Sequence, residues 1–356
     1  MQLSELLQLT VDKGASDLHL RVPSPPVLRI DGTLLPQENM LSLTPEDTIK
    51  VFEEITTEEQ RNDFADKLEL NFAYSVPNVA RFRVNVLKQR GSLSIAFRLV
   101  PLKVYSIDEL GLPKILKKLV LKPRGLILVT GPTGSGKSTT MAAMINHLNE
   151  NQRRNVITIE DPIEYLHPNK KCIIAQRDMG DDTRSFSAAL INALRHDPDV
   201  IVVGEMRDLD TIATAITAAE TGHLVLGTLH TTDAAQTIER LVDIFSPAQQ
   251  QQIRLQLALV LEAVLSQTLV PRIGEGRVAA LEILIATQAV RNLIREGKTF
   301  QLNNAMQLGS VDGMQTLEQA LTELVRSEVI PQEEAMMKSS NPEHIKKLFQ
   351  QAVGVR

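Results

Sequence analysis

The feature that most constrains this sequence is the octapeptide Gly131-Pro132-Thr133-Gly134-Ser135-Gly136-Lys137-Ser138. It fills every position of the pattern G-x-x-x-x-G-K-[ST] and lies between the apolar run Leu126–Val129 and a stretch with helical spacing, the setting such a loop requires. The glycines let backbone N–H groups turn inward around phosphate oxygens. The helix that follows adds its positive N-terminal end. Thr133, Gly134, Ser135, Gly136, Lys137, Ser138 and Thr139 are therefore candidate nucleotide contacts. Lys137 would bridge the β- and γ-phosphates and Ser138 would ligate Mg²⁺, so ATP and Mg²⁺ are the expected cofactors.

A phosphate loop of this kind belongs to a sheet with parallel strands, and the following residues supply one. Val156–Ile159, Val200–Val203, Leu224–Leu226 and Val278–Ile285 are apolar runs separated by helical segments, which predicts an α/β domain over 124–356. Ser246–Gln267 is expected as one long helix, capped by Ser246 with Pro247 in its first turn. Its apolar stripe is Ile253, Leu257, Val260, Leu261 and Val264. The last ~25 residues are polar with a helical pattern and are expected to be loosely held.

The first hundred residues differ in texture. Leu3, Leu6 and Leu7 have helical spacing and Gly14 can end that helix; Leu18, Leu20 and Val22 alternate with His19 and Arg21 as in a strand. Asp31-Gly32 between two short apolar runs signals a hairpin, and Thr44-Pro45-Glu46 begins a helix. Phe82, Val84 and Val86 would face one side of a strand and Arg81, Arg83 and Asn85 the other. Ile95, Phe97 and Leu99 repeat the pattern opposite Ser94, Ala96 and Arg98. The reading is an α+β domain over 1–100, joined by a linker over 101–123. A length of 356 residues suits two domains.

Composition excludes several classes. The net charge of −5, aromatics at 3% and the absence of Trp argue against a nucleic-acid partner. Cys172 is the single cysteine, so neither a disulfide framework nor a cysteine zinc site fits within one chain, and it reads as a small buried hydrophobe. The N-terminus lacks the pattern of a signal peptide, and no apolar run approaches the ~20 residues that span a bilayer. The expected compartment is the cytoplasm.

Hydrolysis needs an acid near the phosphates. Asp199–Val203 is a buried run followed by Gly204-Glu205, so the Glu205 carboxylate is expected at the sheet edge where ligands bind. Many phosphate-loop enzymes carry Asp just before this Glu. Gly204 stands there, which leaves water polarisation to Glu205 and obliges the metal to keep more water. Glu160, Asp161 and Glu164 follow a second strand and could hold Mg²⁺ through water and orient the nucleophile. His223 and His230 flank Leu224–Leu229, and at least one is expected to sense the γ-phosphate.

These segments resemble a known family. Gly131–Thr139, Val156–Glu164, Asp199–Asp208 and Thr217–Thr232 look like the Walker A, Asp, Walker B and His boxes of type II/type IV secretion ATPases. Ala15–Leu20, Val79–Asn85, Gly313–Leu317 and above all Ala289–Glu296 (Ala-Val-Arg-Asn-Leu-Ile-Arg-Glu) are similar to the PilT family of type IV pilus retraction ATPases, along roughly 1–325. The resemblance implies a PAS-like N-terminal domain, a RecA-like ATPase domain and a homohexamer. Arg81, Arg83 and Arg98 would then act as arginine fingers on a neighbour's γ-phosphate, and an inner-membrane platform protein would be the partner, with the major pilin reached indirectly. The chain would work at the cytoplasmic face of the inner membrane. Arg291 and Arg295 share one face of the Ala289–Glu296 helix, either a solvated face or one needed for retraction. Gly180–Thr183 and Val270–Arg272 depart from the family's more basic stretches. A pilus-assembly or secretion motor is the alternative, disfavoured because such relatives usually carry a tetracysteine zinc insert. An ATP-binding accessory subunit and a nucleic-acid translocase are the others.

Overall fold

The computed structural model describes residues 2–353, apart from 31, 78, 101 and 102. The chain forms two compact units, Met1–Lys103 and Val104–Arg356.

The first unit contains helix α1 (Leu3–Asp12), strands β1 (Asp17–Arg21), β2 (Val27–Ile30) and β3 (Thr33–Pro36), and helices α2 (Pro45–Ile55) and α3 (Glu58–Lys67). Strands β4 (Glu69–Val76), β5 (Ala80–Gln89) and β6 (Ser92–Val100) complete it. The six strands make one antiparallel sheet in the order β3-β2-β1-β6-β5-β4. Ile30 pairs with Thr33 across a two-residue connection in which Gly32 has φ +82°; Asp31, the other half of the predicted turn, lies outside the described residues. Thr44 caps α2 through a reciprocal pair with Asp47. The alternation in β1, β5 and β6 sorts the sheet's faces. Leu18, Leu20, Phe82, Val84, Ile95 and Phe97 are buried with Leu3, Leu6 and Leu7 of α1. Arg98 stands opposite both Asp17 and Arg83 in register, so these residues share the other face with Arg81.

The second unit begins earlier than a linker over 101–123 allows. Ile107, Leu112 and the α4 (Ile115–Val120) residues Leu116, Leu119 and Val120 are buried in its core. Pro101 and residue 102 lie outside the described residues. Then come β7 (Gly125–Thr130), α5 (Lys137–Asn151), β8 (Asn155–Glu160), β9 (Ile173–Asp178), α6 (Phe186–Ala193), β10 (Val200–Val203), α7 (Leu209–Glu220), β11 (Leu224–Leu229) and α8 (Ala234–Asp243). They are followed by α9 (Pro247–Val260), β12 (Leu261–Pro271), β13 (Arg277–Ile285), α10 (Gln288–Arg295), α11 (Leu302–Leu308), α12 (Leu317–Arg326), α13 (Gln332–Lys338) and α14 (Pro342–Val353). The seven-stranded sheet runs β13-β12-β7-β11-β10-β8-β9, parallel except for the β12–β13 pair. Apolar helices cover both faces, as a sheet of continuous apolar strands demands.

Two expectations fail here. The stretch Ser246–Gln267 is not one helix: α9 ends at Val260 and β12 starts at Leu261 without a loop. The break is held from outside. Arg291 of α10 donates to the carbonyls of Ala258 (2.7 Å) and Leu259 (2.9 Å), satisfying the end of α9, and to Glu262 at the start of β12 (3.0 Å). The edge of β7 then takes β12 as its parallel neighbour. Nor is the C-terminal part loosely packed. Ile345 of α14 is buried with Leu321 and Val270, and the Glu318 carboxylate accepts from Ser340 (2.8 Å), Ser339 (3.2 Å) and the Asn341 N–H (3.2 Å).

Candidate active site

The loop between β7 and α5 has the local geometry its glycines permit. Gly131, Gly134 and Gly136 have φ of +141°, +79° and +88°, a region that other residues enter at a cost of roughly 1–2 kcal/mol. A Cβ at Gly131 would lie 2.3 Å from the Gln267 carbonyl oxygen, and one at Gly136 2.8 Å from Gln267 Nε2. The cradle is thus backed by β12, the strand hidden in the apolar run. Gln267 donates Nε2 to the Ser135 carbonyl (2.7 Å) and accepts from Thr140 of α5 (2.7 Å). The buried Ser135 hydroxyl has no hydrogen-bond partner among the described residues.

The loop opens on a cavity of about 430 Å³. Thr133, Gly134, Gly136, Lys137, Ser138 and Thr139 line one side, and Glu160, Asp161, Glu164, Glu205 and His230 reach it from the ends of β8, β10 and β11. This is the carboxyl end of the parallel strands, where open α/β sheets place ligands. Lys137 Nζ donates to the carbonyls of Gly131 (2.7 Å) and Pro132 (3.1 Å). Burial holds its pKa below the usual lysine value, opposed by the charges of Glu205 and Glu164. A phosphate beside it would favour the ammonium form. Thr139 bonds the Tyr165 hydroxyl (2.8 Å), which joins α5 to the loop carrying Glu164.

The two acid clusters differ in character. Glu160 is half-buried, and desolvation raises its pKa; Thr158 (2.6 Å) and Gln176 (3.2 Å) donate to it and keep it in place. Glu205 is pushed up by burial, but the Arg207 guanidinium and then His230 outweigh that and hold it below the usual carboxylate value. It is therefore ionised at neutral pH. Gly204 ahead of it is sterically required: a Cβ there would meet the Ile159 carbonyl at 2.9 Å and the Glu160 Cα at 3.1 Å. The position that often carries Asp is closed by the approach of β10 to β8.

The structure separates the two histidines. His230 Nε2 lies 2.9 Å from Glu205 Oε1 at the carboxyl end of β11. His223 stands at the opposite end of that six-residue strand, level with the start of β7, with Nδ1 2.9 Å from the Ala218 carbonyl. A γ-phosphate contact for His223 within its own chain is thereby excluded. Arg81, Arg83 and Arg98 lie in the first unit, where Arg98 Nε donates to Asp17 Oδ1 at 2.8 Å. Among the described residues no group of three or more His, Cys, Asp or Glu is placed to hold a metal ion.

Sequence reading missed Gln267, concealed by the helical reading of its run. It also missed Arg207, which carries no pattern signal, and Asp17, whose partner is 81 positions away. Tyr165, His167, Leu269 and Arg277 line the cavity as well. Burial pushes His167 down to about 4, so it is neutral at pH 7.

The family described as Type II/IV secretion system protein matches residues 2–352. The chain belongs to this family. Among its members, the type IV pilus retraction ATPase PilT of Pseudomonas aeruginosa is 50% identical over 344 residues, 97% of this chain and 100% of the relative. A twitching motility protein of Neisseria gonorrhoeae is 49% identical, covering 89% of this chain and 85% of its own. A crystal structure of the pilus retraction motor PilT with bound ADP matches with a TM-score of 0.92 at 47% identity, over 98% of this chain and 99% of that one. In this secretion-family chain, the cavity gathers the ends of β8, β10 and β11 around the loop after β7. No helix among the described residues is long and apolar enough to cross a membrane.

Proposed function

We propose that this chain is an ATP-hydrolysing motor that powers type IV pilus retraction. The observation that carries the reading is the meeting of Lys137, Glu205 and His230 in one cavity at the phosphate loop. The near-full-length relatives named for pilus retraction and twitching motility, and the ADP in the matching PilT structure, support both the ligand and the task. The first unit, Met1–Lys103, acts as a PAS-like domain and the second, Val104–Arg356, as a RecA-like ATPase domain. ATP sits with its phosphates on Thr133–Thr139. Ser138 would hold Mg²⁺, which would supply neutralisation of phosphate charge. Glu205 takes the proton of the attacking water, His230 senses the γ-phosphate end, and Glu160, Asp161 and Glu164 order the water around the metal.

The working form is a homohexamer in which Arg81, Arg83 and Arg98 of one subunit stabilise transition-state charge on a neighbour's nucleotide. Asp17 supports this by fixing Arg98 before any ligand arrives. The ring engages an inner-membrane platform protein at the cytoplasmic face, and through it the major pilin. The test is steady-state ATP hydrolysis by the purified oligomer beside Glu205→Gln and Arg98→Ala, with nucleotide binding measured on each. Turnover in the wild type, and binding without turnover in both variants, upholds the reading. A wild-type ring that binds ATP without hydrolysing it overturns the motor and favours an accessory subunit.

A further inference from the structure

Glu205 is gripped at a single oxygen. Arg207 Nε and His230 Nε2 both engage Oε1, the latter at 2.9 Å. The Glu205 side chain is 16% exposed, whereas that of Arg207 is 67% exposed. An ion pair with so exposed a partner contributes little to folding. Its consequence is geometric. Two donors on one oxygen fix the rotation of the carboxylate, and Oε2 becomes the oxygen left to meet a water. Arg207 belongs to the short connection between β10 and α7, two residues after Glu205.

We propose that Arg207 is a positioning residue for hydrolysis: with His230 it holds Oε1 of Glu205 so that Oε2 faces the attacking water. The proposal rests on the reading of Glu205 as the proton acceptor in ATP hydrolysis. In that step the water oxygen forms a bond to the γ-phosphorus and its proton passes to Oε2. The bond from the γ-phosphorus to the β–γ bridging oxygen breaks, and that oxygen leaves with the electron pair on ADP. A guanidinium beside the base lowers its proton affinity, which costs rate. Orientation of the base more than offsets that cost, because a misaligned carboxylate forfeits the advantage of proximity. Lysine is a poor substitute, since a flexible ammonium lacks the planar geometry that sets the carboxylate's angle.

The experiment compares wild type, Arg207→Gln, Arg207→Lys, Glu205→Gln and the Glu205→Gln/Arg207→Gln double variant, as full-length oligomers. It measures kcat and KM for ATP, and ADP affinity by titration with a fluorescent ADP. The expected result is a kcat for Arg207→Gln lower by roughly ten-fold or more, with KM and ADP affinity within about two-fold. Arg207→Lys should recover part of the loss, and the double variant should be no slower than Glu205→Gln alone, because Arg207 acts through that carboxylate. A wild-type or faster kcat for Arg207→Gln overturns the proposal, as does an additive loss in the double variant. If Glu205→Gln itself keeps wild-type turnover, the reading of Glu205 falls and the proposal with it. If Glu205→Gln is inactive while Arg207→Gln is unimpaired, only the proposal falls.

Discussion

Gln267 and Ser135 are joined across the sheet, the Gln267 Nε2 donating to the Ser135 carbonyl at 2.7 Å. Gln267 is 2% exposed, and its Oε1 accepts from Thr140 at 2.7 Å. One side chain of β12 therefore ties the middle of the phosphate loop to the first turn of α5. Gln267→Leu keeps the volume and removes both bonds, leaving a buried carbonyl and hydroxyl unsatisfied. At about 1–3 kcal/mol for each stranded group, nucleotide affinity should fall about ten-fold or more. A fluorescent-nucleotide titration, with circular dichroism to confirm the fold, measures this. Wild-type affinity would show that the loop holds its shape unaided.

Asp17 is 7% exposed and receives Arg98 at 2.8 Å and Ser16 at 2.7 Å. Burial raises its pKa, but Ser16 and Arg98 together outweigh burial and bring it below the ordinary value. Its stabilising contribution is present above the unfolded-state pKa and is lost as pH falls through the folded one. Asp17→Asn should destabilise the first unit by about 1 kcal/mol or less near neutral pH, because Arg98 is largely exposed, and the deficit should shrink on acidification. Chemical denaturation at neutral and acidic pH measures both. Turnover should fall with nucleotide affinity retained, because Arg98 loses its support.

Arg291 and Arg295 share a helix face by spacing, but the structure gives them different tasks. Arg291 caps α9 and holds Glu262, which Lys122 also engages, whereas Arg295 is exposed. Arg291→Ala is expected to lower stability by about 2–4 kcal/mol, since it strands two carbonyls and leaves Glu262 with Lys122 alone. Arg295→Ala should stay within about 0.5 kcal/mol. Paired thermal melts decide this, and equal losses would refute the asymmetry.

Glu282 of β13 is buried and accepts the Ala234 N–H at the start of α8 (2.8 Å). Burial, with the charges of Asp233 and Glu318, raises its pKa to about 7. The folded state therefore binds a proton that the unfolded chain releases near 4.5. Stability from this group is full below that value and is lost as pH rises through about 7. Glu282→Gln should gain on the wild type as pH rises from 5.5 to 8, by about 2 kcal/mol. Denaturant midpoints across that interval measure it, and a constant difference would show that Glu282 does not titrate there.

Much of this protein is written locally. The phosphate loop, the buried strands β7, β8, β10 and β11, the caps at Thr44 and Thr287 and the two-faced β5 and β6 follow from glycine placement, apolar period and capping chemistry. These signals act within a few residues and survive in one dimension. What tertiary structure decided is of another kind. Leu257, Val260, Leu261 and Val264 fit a helix stripe and a buried strand equally well; Arg291 and the open edge of β7 chose the break at Leu261. His223 and His230 are equivalent in sequence, at the two ends of one strand, and only the direction of the sheet puts His230 beside Glu205. Gln267 on the loop, Arg207 on Glu205 and Asp17 on Arg98 are likewise invisible to pattern. A hydrogen bond between distant residues leaves no period in the chain, and its partners are set by which elements the core brings together.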